Sequence, residues 1–145
     1  MRTAIVSTLL AVAASTLPGA EPATLVSPLK NQSAIEGCAW SASAPALGDG
    51  FIYLEDLADP LILMNIDGVD TEFALVRQQG LLASVGDIMI RSFRAANVTV
   101  EAQYKVTWVC PPESESCEVT KYSVTFTVTR GTRTQVVEAA GYVGC

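Results

Sequence analysis

Val98-Thr-Val-Glu-Ala-Gln-Tyr-Lys-Val-Thr-Trp108 and Lys121-Tyr-Ser-Val-Thr-Phe-Thr-Val128, joined through Cys110-Pro-Pro-Glu-Ser-Glu-Ser-Cys117, decide the fold of this 145-residue chain. In the first run Val98, Val100, Ala102, Tyr104, Val106 and Trp108 alternate with Thr99, Glu101, Gln103, Lys105 and Thr107. In the second, Tyr122, Val124, Phe126 and Val128 alternate with Lys121, Ser123, Thr125 and Thr127. A period of two, rich in β-branched and aromatic residues, is the pattern of a strand with one face buried. The stretch therefore predicts a long antiparallel hairpin. Its register stays open. Cys110 opposite Cys117 turns Trp108 toward Val119 and Lys121 instead of Tyr122 and Val124, a conflict that a β-bulge removes. Pro111 and Pro112 could equally end the pairing early.

Working outward, Glu36–Ala42, Phe51–Glu55, Leu61–Ile66, Thr71–Arg77, Asp87–Phe93 and Thr132–Gly144 read as further strands. Between them lie Gly48-Asp-Gly50, Asp56 to Pro60, Asp67-Gly68, Val85-Gly86-Asp87, Ala95-Ala96-Asn97 and Arg130-Gly131, all built from turn-forming residues. About seven to nine short strands, with turns roughly every 8–12 residues, predict an all-β chain. It is a single antiparallel β-sandwich or a small β-barrel, stapled by disulfides. No helix is expected beyond the N-terminus.

Met1-Arg2, the apolar run Ala4–Ala14 and the small-residue segment Ser15–Ala20 have the charged, apolar and small-residue regions of a secretory signal peptide. The organisation expected is a leader over 1–20, an N-terminal tail or linker over 21–35 that adds little to the core, and a β domain over 36–145. No later apolar run approaches the roughly 20 residues that cross a bilayer as a helix. The mature chain is thus expected to be exported, periplasmic or extracellular, with no transmembrane segment.

Four cysteines in an exported chain predict two disulfides, and hairpin geometry favours Cys110–Cys117 with Cys38–Cys145. Cys38-x-Trp40 and Trp108-x-Cys110 put ring and sulfur on one strand face, so each indole is expected against a disulfide. No Cys-x-x-Cys occurs and the chain has no histidine. That removes the usual zinc ligand sets and the histidine-based nucleophile pairs. No catalytic, metal or cofactor-binding residue is expected. Asp67-Gly-Val-Asp70-Thr-Glu72 lacks the ligand alternation of a calcium loop and reads as a hairpin turn.

The net charge is −6, more negative by one when Arg2 leaves with the leader, which speaks against nucleic acid as a partner. Asn31-Gln-Ser33 and Asn97-Val-Thr99 match the N-glycosylation pattern. Arg77, Arg91 and Arg94 read as surface residues with a weak hint of an anion contact. The most suggestive functional element is the loop at the hairpin end, where Pro111 and Pro112 stiffen an acidic segment carrying Glu113 and Glu115. Clamped by a disulfide, it loses little entropy on binding. Two readings follow. One is a non-enzymatic exported domain that binds a protein or cell-envelope component through this loop, as an inhibitor or accessory module. The other is a small barrel that carries an apolar ligand in its interior, with a carboxylate-dependent hydrolase behind both. An empty lumen favours the carrier, and a filled core with an exposed clasped loop favours the binder.

Overall fold

Strands that bury one face gain most when the sheet curls until that face is enclosed, and here the curl goes to completion. The computed structural model describes residues 24–145; the expected leader over 1–20 lies outside them. The strands are β1 (Val26–Ser27), β2 (Ala39–Ser43), β3 (Phe51–Asp56), β4 (Ile62–Ile66), β5 (Val69–Gly80), β6 (Ile88–Ala95), β7 (Val98–Trp108), β8 (Val119–Arg130) and β9 (Arg133–Gly144). The one helical element among the described residues is a 3-10 turn, Pro45–Leu47. From β2 to β9 each strand pairs antiparallel with the next, and β9 returns to pair with β2. Of the two architectures expected, the barrel forms: eight strands, up and down and closed, with β1 added to the edge of β4.

The alternation sorts the two faces. Val98, Val100, Ala102, Tyr104 and Val106 of β7, and Tyr122, Val124, Phe126 and Val128 of β8, are buried in the lumen. Thr99, Glu101, Gln103 and Lys105 of β7 are exposed outside. A barrel that spans a bilayer shows the reverse order, apolar out and polar in. No helix among the described residues is long and apolar enough to cross a membrane. Aromatic rings lock the inner layer, with centroids 5.1 Å apart for Tyr104 and Tyr122, 5.3 Å for Tyr53 and Phe126, and 5.4 Å for Trp40 and Tyr104. Such tilted and edge-on pairs each add about 0.5–1.5 kcal/mol beyond the area they bury.

The hairpin register is settled by a bulge. Val106 pairs with Tyr122 and Trp108 with Lys121, leaving Thr107 as the extra residue. The bulge corrects one expectation: Trp108 does not continue the inward row but stands outside, with the Lys121 ammonium 5.2 Å from its ring centre. Trp40, likewise, packs on Tyr104 and Tyr122 in the lumen. The two indoles thus stand on opposite faces of the barrel wall, Trp40 inside and Trp108 outside.

Within the expected tail or linker, the described residues 24–35 contribute to the core. Leu25, Val26 and Leu29 are buried, β1 pairs with Asn65 and Ile66, and the Leu25 and Val26 amides both donate to Gln135 Oε1. β3 and β2 are too short to reach that end of the barrel, and β1 takes the vacant place between β4 and β9.

Closure depends on β2 and β9 approaching closely. A Cβ at Gly141 would lie 1.7 Å from the Ser41 carbonyl oxygen, so only glycine fits the seam. The Tyr122 hydroxyl donates across it to the same oxygen at 2.6 Å. The Cys38–Cys145 disulfide staples the end of this seam, and Cys110–Cys117 closes the hairpin loop, the two pairs expected. Asp67-Gly68, with φ of 50° and 82°, makes the tight turn between β4 and β5.

Candidate functional site

Both disulfides lie at one end of the barrel, where β3, β5, β7 and β9 finish. Just inside that end sits an unusual constellation for an apolar lumen. Glu55 is the penultimate residue of β3, and alternation sends it inward with Tyr53; Arg91 points inward from β6 between Met89 and Phe93. The guanidinium grips the carboxylate with both forks, Nη1 to Oε2 at 2.5 Å and Nη2 to Oε1 at 2.8 Å. Tyr53 donates its hydroxyl to Glu55 and accepts from Arg91 at 3.1 Å, while Tyr104 donates to the Tyr53 hydroxyl at 3.2 Å. The flat faces of Arg91 lie against Trp40 and Phe93, at 4.8 and 5.1 Å from the ring centres.

Burial and mutual contact set the protonation of this cluster. Burial pushes the Tyr104 phenol up to about 12 and holds Tyr53 and Tyr122 well above their ordinary value. Burial alone would lower Arg91, but its bonds to Glu55 and the field of the tyrosines outweigh that and hold it above its usual range. Phenols this far from neutral are poor proton carriers near pH 7. Glu55 is the one buried carboxylate among the described residues, and it faces a guanidinium where a carboxylate hydrolase needs a second carboxyl.

Arg91 thus departs from the surface placement expected of it, being only 3% exposed. Its position shares the parity of Met89 and Phe93, a signal present in the sequence. Arg77 and Arg94 are exposed on the outer face and line a groove of about 460 Å³ with Val76, Glu101 and Thr127. The three arginines therefore do not form one site.

The loop from Pro111 to Ser116 projects beyond the rim, and Pro111, Pro112, Glu113 and Glu115 are all exposed. Its first turn closes with Ser114 donating to the Pro111 carbonyl at 3.1 Å. Its base is fixed twice, by the Cys110–Cys117 bond and by the Cys145 amide, which donates to the Glu118 carbonyl at 3.2 Å. The acidic finger is therefore anchored to the same seam that closes the barrel.

The remaining acidic motifs are engaged structurally. Arg130 and Arg133 clasp Asp67 at the opposite end, and their hydrogen bonds, that of Arg133 foremost, lower its carboxyl. Asp70 accepts from the Lys30 and Asn31 amides and from Asn65. Its burial would raise the carboxyl, but these bonds prevail and lower it. Asn31 and Asn97 are both exposed, the latter in the turn between β6 and β7. No protein-family model, characterised protein or solved structure matches the chain.

Proposed function

We propose that this chain is an exported, non-enzymatic binding domain whose disulfide-clamped acidic finger engages a basic surface on a protein or cell-envelope component. The observation that carries the reading is the division between lumen and rim. Tyr53, Tyr104, Tyr122, Phe93, Phe126 and the Arg91–Glu55 pair occupy the interior, which counts against an apolar-ligand carrier. The finger, by contrast, presents two carboxylates on a loop stiffened by two prolines and anchored at its base. Such a loop gives up little conformational freedom on binding. Export, to a periplasm or the extracellular space, accords with the leader-like N-terminus and with two disulfides, which persist in oxidising compartments. The acidic balance of the chain supports a protein or envelope partner over nucleic acid.

The test compares the wild-type protein with the Glu113→Gln/Glu115→Gln variant as bait in native envelope extract. The variant is expected to melt with the wild type, since exposed charges contribute little to stability. It is expected to hold the captured partner more weakly, with a flatter salt dependence. Equal capture by both proteins at every salt concentration rejects the finger as the site.

A further inference from the structure

The barrel is closed along its whole circumference, but not along the whole length of β5. Ile62–Ile66 of β4 pairs with Val69–Phe73, and there that ladder stops, because the Asp56–Pro60 turn leads the chain away. β5 runs on to Gly80. Over Ala74–Gly80 it is paired with β6 on one edge, and its other edge meets no strand among the described residues. Beside that edge lies a groove of about 600 Å³, lined by Pro60, Glu72, Phe73, Ala74, Leu75 and Arg94. One large apolar side chain of the groove stands open, Leu75 at 45% exposure, and the next residue along the edge, Val76, is 59% exposed.

We propose that the free edge of β5 is a strand-accepting site, which binds an extended, carboxylate-bearing segment of a protein partner by antiparallel or parallel addition to Ala74–Gly80. The backbone groups of the edge supply the ladder, and alternate side chains of the guest reach Leu75 on one face and the outer surface on the other. Charge selects the guest. Arg77 and Arg94 are exposed on the outer face and neither forms an ion pair with another described residue. An acidic residue on the guest's outward face meets them. The same feature disfavours a second copy of this chain. Ala74–Gly80 contains Arg77 and no acid, so self-pairing centred on that residue sets arginine against arginine, a device by which natural edges resist their own kind. The site is independent of the finger and stands or falls on its own test.

The test uses the intact disulfide-bonded protein and two synthetic peptides of about eight residues, long enough to span the edge. One alternates valine with glutamate and the other valine with lysine. Backbone hydrogen exchange is followed with each, together with affinity across a salt series. The acidic peptide is expected to slow exchange across Ala74–Gly80, and to bind more weakly as salt rises. The Arg77→Glu/Arg94→Glu variant is expected to lose roughly tenfold in affinity for it and to prefer the lysine peptide. If that variant melts early, the salt series on the wild type decides. Three results overturn the proposal: no protection by either peptide, equal binding of both by the wild type at every salt concentration, or protection of Ala74–Gly80 that rises with protein concentration alone alongside a dimer mass.

Discussion

Arg91 and Glu55 hold each other inside an apolar lumen, and the energetics of such a pair are lopsided. Replacing both partners with apolar groups is often neutral, whereas removing one strands a buried charge at about 3–5 kcal/mol. Arg91→Met is accordingly expected to lower unfolding stability by about 3–5 kcal/mol, and Arg91→Met/Glu55→Leu to recover most of the loss, as measured by denaturant unfolding. Equal losses in the single and double variants would show that the shape of the guanidinium, not its charge, is what the lumen requires. The pair was only half legible in the sequence. Parity places Arg91 with Met89 and Phe93, and Glu55 with Tyr53, but arginine and glutamate are so seldom buried that parity alone does not outweigh the surface expectation. Only the pairing of elements distant in sequence brings the two charges together and makes their burial tolerable.

At the scale of elements, the two disulfides close loops of very different size, with sequence separations of 107 and 7 residues. In the chain-entropy model these constrain the unfolded chain by about 5 and about 2.5 kcal/mol. Cys38→Ser is therefore expected to lower stability by roughly twice as much as Cys117→Ser, measured by thermal or denaturant unfolding under non-reducing conditions. Comparable losses would point to structure persisting in the unfolded chain. The inward rows of β7 and β8 were readable because they rest on local alternation, and the cysteine pairing because the hairpin joins Cys110 to Cys117 and leaves Cys38 for Cys145. Trp108 was misplaced because a single extra residue, Thr107, inverts every face beyond it. β1 was missed for another reason: two residues carry no periodicity, and their burial comes from partners about 40 and 109 positions away, Ile66 and Gln135.

At the scale of the whole molecule, three buried tyrosines make the barrel sensitive to alkali. Burial raises Tyr104 to about 12 and Tyr53 and Tyr122 well above their usual value. Phenols in the unfolded chain titrate near about 10. Their contribution to stability is thus complete below about pH 10 and is lost as pH rises from there through the folded values. The melting temperature is expected to fall above about pH 10, with the phenolate absorbance of these tyrosines rising together with the loss of β-structure. Full ionisation before any unfolding would mean that the lumen does not shield them. The choice between sandwich and barrel lay beyond the sequence for a related reason: it turns on Ala39 meeting Gly144, a pairing no local pattern encodes. The Cys38–Cys145 bond at that seam has one more consequence. It makes everything from Cys38 to Cys145 a covalent ring, so a single peptide-bond cut within it, in the loop 44–50 or in 81–87, opens the ring without releasing a fragment. A cut between Cys110 and Cys117 is bridged twice, so the exposed finger can be nicked while both pieces stay joined, the mass rising only by the water of hydrolysis.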